Sequence, residues 1–408
     1  MATYRQATVR AGATARTITI PAASDAGAAR VEVFAVQPHR VGKHATQVLV
    51  PVSGASVTIP AGAEVRFLVR ATGLRSGSAN MDAGVAKLQV RVADASVRAL
   101  PMLAWVNPSS ATARGASVGS VESTLARFGV ASSGAPATAA GRQAMPRAYA
   151  SAAWEAATRQ PIGPVVDRIL AHERELAATG TPTLWVQVSD EQDATSAAAA
   201  QTARWIARLD AELERRGSNA KLFAACQPRP HVLAYAPHLD GWAVTQSSAG
   251  QTRPQSIAAV REAAQRAGRR IELMEYPGNA FFDGATPGSA ALSTASAALD
   301  GAAGWFIYSA NNLDVLEAGR GVEGRGDIGG LVAVHRGEVL PTLALAEADY
   351  GANLGAAARA LGGEARSGTA ATGVRSSARR LDDYQRGAAP DLAAWDRSVG
   401  AALVDKFG

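Results

Sequence analysis

One cysteine, Cys226, stands in 408 residues, which excludes an intrachain disulfide and any thiolate metal cluster. Its setting, "KLFAAC", is apolar and suits a buried structural thiol rather than a nucleophile. Long hydrophobic runs are also missing. No stretch of 18 or more apolar residues could span a bilayer, so membrane insertion is not expected. The opening "MATYRQATVRAGATARTITIP" lacks the apolar core and small-residue cleavage site of a secretory signal. The six histidines show no HExxH or comparable spacing, so no metal site is expected. A basic stripe is lacking as well. The 41 basic and 35 acidic residues give a formal charge of +6, but the arginines are scattered beside carboxylates, as in "RWIARLDAELERR". That is the pattern of a solvated helix face, and no nucleic-acid partner is expected.

What is present is an apolar fraction of 47% with 19% charged residues, a globular composition on a chain long enough for two domains. Residues 1–97 carry short alternating runs, "YRQATVRA", "ARTITIP", "RVEVFAVQP", "TQVLVPVS", "SVTIP", "EVRFLVRA" and "KLQVRVAD", each bounded by Gly, Pro, Ser or Asp. Period-two alternation with such punctuation predicts antiparallel strands and a β-sandwich.

From residue 98 the rhythm changes to short strands apolar on both faces, alternating with helices that end in Gly or basic residues. The repeat predicts an α/β fold, a (β/α)8 TIM-like barrel over 98–345, with "LAWVN" as first strand and "GWFIYSA" as last. The second and third strands must lie within 108–162, where Ala, Ser and Gly obscure any period. A helical C-terminal extension follows over 346–408, its two helical stretches separated by the polar, linker-like "GEARSGTAATGVRSS".

Catalytic groups of such barrels stand at the C-terminal ends of strands. There the run "TLWVQVSDEQD" ends in two adjacent carboxylates, Asp190 and Glu191. A helix cap is the competing reading, but the following helix starts near Thr195 and Ser196. Neighbouring carboxylates in different environments can divide labour, one ionised and one protonated. Other strand ends supply Trp242 and Gln246, Glu275, Tyr276 and Asn279, then Trp305, Tyr308 and Asn311, with Trp185 on the strand of the acid pair. Aromatic rings and amide or carboxylate groups on one face would suit a sugar-binding cleft.

The segments "LWVQVSDEQD", "LDGWAVTQ", "ALDGAAGWFIYSANN" and "GDIGGLVAVHRGEVLPTLALAEADYGANLGAA" follow one another in an order that resembles glycoside hydrolase family 123 and the related domain of unknown function 4091. The resemblance implies a β-sandwich before a catalytic barrel and retaining exo-hydrolysis of an N-acetyl-β-hexosaminide. In that chemistry the substrate's acetamido oxygen is the nucleophile, with no metal or organic cofactor. By the same resemblance Asp190 would orient the acetamido nitrogen, Glu191 would protonate the leaving oxygen, and Tyr276, Trp305 and Asn311 would line the sugar subsite. The C-terminal block departs from the family: its arginines are absent from "LPTLALAEADY", which keeps the Asp349–Tyr350 end.

Two alternatives stay open. Acid on strand four and nucleophile on strand seven, Glu191 with Glu275, is the layout of ordinary retaining glycosidases. A non-catalytic carbohydrate-binding or structural protein, such as a virion or surface assembly component, would use the same barrel to hold a glycan. Without a signal segment, the expectation is a cytoplasmic protein or one released by another route, such as a virion.

Overall fold

The computed structural model describes residues 2–41, 44–92, 97, 99–106, 108–132, 148–178, 180, 183–190, 195–245, 253–276, 288–307, 330–335, 337–382 and 391–407. The N-terminal part is built from nine strands: β1 (Ala2–Arg10), β2 (Arg16–Thr19), β3 (Ser24–Ala26), β4 (Ala29–Val41), β5 (His44–Pro51), β6 (Ser56–Ile59), β7 (Glu64–Gly73), β8 (Gly77–Asp82) and β9 (Lys87–Val92). All seven alternating runs are strands. The two additions, β3 and β8, are short or polar ("GSANMD") and form by pairing with β4 and β9. An antiparallel sheet in the order β1-β7-β4-β3, with β5 also on β4, lies over the antiparallel pair β2/β6 and the hairpin β8/β9. Between these layers sit Val31, Val33, Phe67, Val69, Ile18 and Ile59, the alternate positions that period two sends to one face.

Part of the opposite face of the large sheet is also covered, although Gln6, Thr8 and Arg66 on it are exposed. Tyr4, Phe34, Leu49 and Leu68 join one core with barrel and C-terminal residues such as Phe128, Trp305 and Leu345. Charged residues of that face close a buried network. The Tyr4 hydroxyl donates to Asp349 Oδ2 at 2.5 Å. Arg70 donates to Asp349 at 3.0 Å and to Glu32 at 3.2 Å, Arg127 donates to Glu32 at 2.5 Å, and Asn353 donates to Asp349 Oδ1 at 2.7 Å. The Arg70 guanidinium also lies 4.6 Å from the centre of the Phe128 ring. Burial works against the Arg70 charge, but Tyr4, Asp349 and Glu32 outweigh it and raise its pKa. Burial likewise opposes ionisation of Glu32, and there Arg127 and Arg70 prevail and hold the carboxyl below its usual range.

The barrel strands are β10 (Met102–Ala104), β11 (Val130–Ser132), β12 (Ala148–Ser151), β13 (Leu184–Asp190), β14 (Lys221–Ala225), β15 (Gly241–Thr245), β16 (Glu272–Tyr276) and β17 (Gly304–Ile307). They form one eight-stranded sheet in the order β11-β10-β17-β16-β15-β14-β13-β12, and every pairing is parallel. The chain is thus an α/β protein with a nearly closed (β/α)8 barrel, open between its second and third strands, where no ladder runs among the described residues.

Helices α1 (Pro108–Ala113), α2 (Val118–Arg127), α3 (Ala153–Thr158), α4 (Ile162–Ala177), α5 (Ser196–Arg215), α6 (Arg253–Arg266) and α7 (Ser289–Asp300) alternate with the strands. The hairpin β18 (Val332–His335) and β19 (Glu338–Pro341) precedes α8 (Leu343–Leu361). The boundary expected at residue 345 falls inside α8, which lies along α7 as the barrel's last helix. Their crossing is close because Gly351 and Gly355 leave room: a Cβ at Gly351 would stand 2.1 Å from the Ala291 carbonyl oxygen, and one at Gly355 would stand 2.5 Å from that of Ala295.

The segment expected to be a linker is helical, forming α9 (Gly363–Ser367) and α10 (Thr369–Asp382), followed by α11 (Leu392–Phe407). Its apolar stripe is made of small residues: Ala371 and Val374 pack with Leu292 and Leu299 of α7 and with Trp395.

Candidate functional site

Side-chain parity in the barrel is set by strand pairing. Leu103, Tyr149, Trp185, Phe223, Met274, Tyr276 and Phe306 share one cluster inside the barrel, while Val186, Leu222, Ala224, Trp242 and Val244 pack outward with the helices. The interior is filled by rings in contact. Phe306 has Tyr149, Phe223 and Tyr276 at centroid distances of 5.5, 5.6 and 5.4 Å.

The acid-bearing strand breaks this parity at its end. Along β13, Gln187 pairs with Phe223, Ser189 with Ala224 and Asp190 with Ala225, so Val188 is an extra residue in the ladder. Simple alternation from Trp185 and Gln187 would send Asp190 outward. The bulge instead puts Asp190 on the side of Ala225, an interior residue. Bulges re-aim side chains in this way. Gln187, 2% exposed, spans the irregularity: it accepts from the Tyr149 hydroxyl, and its amide donates to the Ser189 carbonyl at 3.3 Å. Asp190 does not cap the next helix. Thr195 does, its hydroxyl accepting from the Ala198 N–H at 3.2 Å.

Of the expected site residues, Asp190 and Tyr276 come to C-terminal strand ends on the interior side. Glu275 does not. It lies between the interior residues Met274 and Tyr276 and pairs with Val244 and Trp305, both of which face helices, and it is fully buried. Its carboxylate therefore stands on the helix side of the sheet, away from the interior side on which Asp190 lies.

Trp185 is interior but stands near the N-terminal floor of the barrel, with Lys221 5.3 Å from its ring. Its indole fills the space over Gly241, where a Cβ would meet Trp185 at 2.3 Å. Trp242 and Trp305 face outward, their indole N–H groups donating to the Cys226 carbonyl at 2.9 Å and the Ser293 hydroxyl at 3.0 Å. These three tryptophans are packing residues, not sugar contacts. Glu191, Gln246, Asn279, Tyr308 and Asn311 lie outside the described residues.

Three residues at the same end of the barrel escaped the sequence reading. Trp105 directly follows β10 and is half-buried against the interior cluster; its position at the end of "LAWVN" was the available signal. Trp154 opens α3 just beyond β12 and is 68% exposed, hidden in an Ala-rich stretch without a visible period.

Glu347, on the first turns of α8, accepts from the N–H of Gly288, the residue that begins α7, at 2.9 Å. Burial pushes its carboxyl up to about 7 against the opposing pull of that hydrogen bond. No sequence pattern marks it, because its burial arises from the α7–α8 contact. Among the described residues no group of three or more His, Cys, Asp or Glu side chains could hold a metal ion, and no helix is long and apolar enough to cross a membrane.

The sequence matches no family model and no curated protein sequence. Among solved structures the chain is similar to a β-glucuronidase from Faecalibacterium prausnitzii, at 12% identity and a TM-score of 0.36 over 82% of this chain and 65% of that one. It is also similar to Xylanase10C from Cellvibrio japonicus in complex with xylopentaose, at 9% identity and a TM-score of 0.33 over 86% and 90% of the two chains. Methylaspartate ammonia lyase from Clostridium tetanomorphum gives 14% identity and a TM-score of 0.32. This chain spans about half of the lyase, 54%, and 65% of the glucuronidase. All three scores are too low to carry a site or an activity across.

Proposed function

We propose that this chain is a carbohydrate-active barrel protein of the glycoside hydrolase family 123 type, acting on N-acetyl-β-hexosaminides with Asp190 and Glu191 as its acid pair. The observation that carries the reading is the β13 bulge, which costs a ladder position and delivers Asp190 to the interior side at the C-terminal end of strand four. In the proposed reaction the substrate's acetamido oxygen attacks the anomeric carbon while Asp190 holds the acetamido N–H. The glycosidic C–O bond breaks, the leaving oxygen takes the Glu191 proton, and an oxazolinium ion forms. Water, losing its proton to Glu191, then opens that ion with net retention. Tyr276 and Trp105, beside this end of the barrel, would offer the apolar faces that sugar rings stack on.

The test is release of nitrophenol from chromogenic N-acetyl-β-galactosaminides and N-acetyl-β-glucosaminides, compared with the corresponding plain glycosides. Asp190→Asn and Glu191→Gln should each lower kcat by roughly 100-fold or more, whereas Glu275→Gln should leave turnover in place. Equal cleavage of glycosides lacking the acetamido group would exclude substrate assistance. Glycan binding without turnover would leave a non-catalytic sugar-binding protein.

A further inference from the structure

Away from the barrel mouth, a crevice of about 800 Å3 runs between the sandwich and helices α8 and α11. One wall is β9. Its five consecutive residues Leu88, Gln89, Val90, Arg91 and Val92 all line the crevice, although their side chains alternate between the sandwich core and its outside. A strand contributes neighbours of both parities to one crevice when its backbone edge faces it. Among the described residues β9 pairs with β8 alone. Beneath this edge, Thr3 and Gly73 of the β1–β7 pair are half-buried toward the crevice, while Val69 and Ala71 beside them are buried in the sandwich core.

The rim is basic. Arg5 is bound to Asp396 at 2.7 Å and ties β1 to α11 across the crevice. Arg91 and Arg397 line it as well, both exposed, and no carboxylate pairs with either among the described residues. Leu74, 50% exposed and so the large aliphatic side chain most open to solvent here, stands at the same rim.

We infer that this crevice is a docking site for an extended acidic peptide segment of a partner protein. The segment adds as a strand to β9, sets alternate side chains against Thr3, Gly73 and Leu403, and offers carboxylates to Arg91 and Arg397. An open strand edge supplies main-chain hydrogen bonds without regard to sequence, and the unpaired guanidiniums select the charge of the guest. Five residues of β9 give a binding edge of about 17 Å. This site is separate from Asp190 and does not depend on the activity proposed for the barrel.

The probe is a fluorescein-labelled heptapeptide alternating Glu and Val, titrated with the full chain by fluorescence polarisation, beside a Lys–Val peptide of equal length. Saturable binding of the acidic peptide alone is expected, weakened roughly tenfold or more by the pair Arg91→Glu and Arg397→Glu, with slowed hydrogen exchange at β9 amides on binding. Both variants lie on exposed positions, and an unchanged Tm verifies their fold. Equal affinity for the two peptides, no saturation in the millimolar range, or binding without protection of β9 overturns the proposal. A concentration-dependent dimer that protects β9 without peptide overturns it in favour of a second copy of the chain.

Discussion

Replacing Glu347 by Gln should make the protein more stable at pH 8 and leave it unchanged near pH 4.5. The carboxyl is pushed from an ordinary 4.5 to about 7 by burial between α7 and α8. The folded state therefore binds a proton that the unfolded chain has released across the interval from 4.5 to 7. Stability falls as pH rises wherever the folded state holds more protons. The favourable contribution of neutral Glu347 is complete below about 4.5 and is lost by the time pH passes 7. A shift of this size corresponds to about 3 kcal/mol at 1.36 kcal/mol per pH unit. Gln keeps an acceptor for the Gly288 N–H and stands in for the neutral carboxyl, and the pull of that hydrogen bond is already contained in the net shift. The gain at pH 8 is therefore about 3 kcal/mol. Urea unfolding followed by far-ultraviolet circular dichroism at pH 5 and pH 8, on wild type and Glu347→Gln, measures it. A stability difference that is the same at both pH values would refute the reasoning, since it would mean that Glu347 does not titrate in this interval. If Glu347 were instead a proton donor in catalysis, the variant would lose turnover as well as gain stability.

Two further perturbations test how the parts are joined. Gly351→Ala adds a Cβ 2.1 Å from the Ala291 carbonyl oxygen; despite a helix-propensity gain of about 1 kcal/mol, the α7–α8 crossing must splay, and a net loss of roughly 1–3 kcal/mol is expected in thermal or urea unfolding. Arg70→Ala leaves Asp349 and Glu32 inside the sandwich–barrel contact without the guanidinium that bridges them. A loss of about 3–5 kcal/mol is expected, and a variant as stable as wild type would show that the network contributes nothing to holding the two parts together.

The seven alternating runs of the first 97 residues and the strand–helix rhythm that follows are local signals, written in spacings of two and of three to four residues. Every one of those runs became a strand, and the barrel begins and ends where the apolar runs "LAWVN" and "GWFIYSA" stand. The strand that ends in Asp190 was legible for the same reason, and so was the helix start at Thr195. The 363–382 helices were not, because their buried stripe is Ala and Val among polar residues, too weak an apolar period until α7 supplies the surface it packs on.

Facing was the other loss. A strand-end carboxylate is equally visible at 190 and at 275, yet one extra residue in β13 turns Asp190 inward, while unbroken alternation turns Glu275 out to the helices. The tryptophans read as sugar contacts illustrate the same point: Trp185, Trp242 and Trp305 are among the largest fully buried side chains, and composition cannot tell a stacking platform from a core ring.

By itself, then, the amino-acid order determined the class of most segments and which strand ends carry carboxylates. Only the tertiary structure decided which side chains meet. Tyr4 and Asp349, 345 positions apart, share a proton-donor contact that no short-range pattern encodes, and it holds the sandwich on the barrel. Periodicity reports on neighbours along the chain, whereas register, bulges and helix crossings are fixed by the packing of segments that the sequence separates.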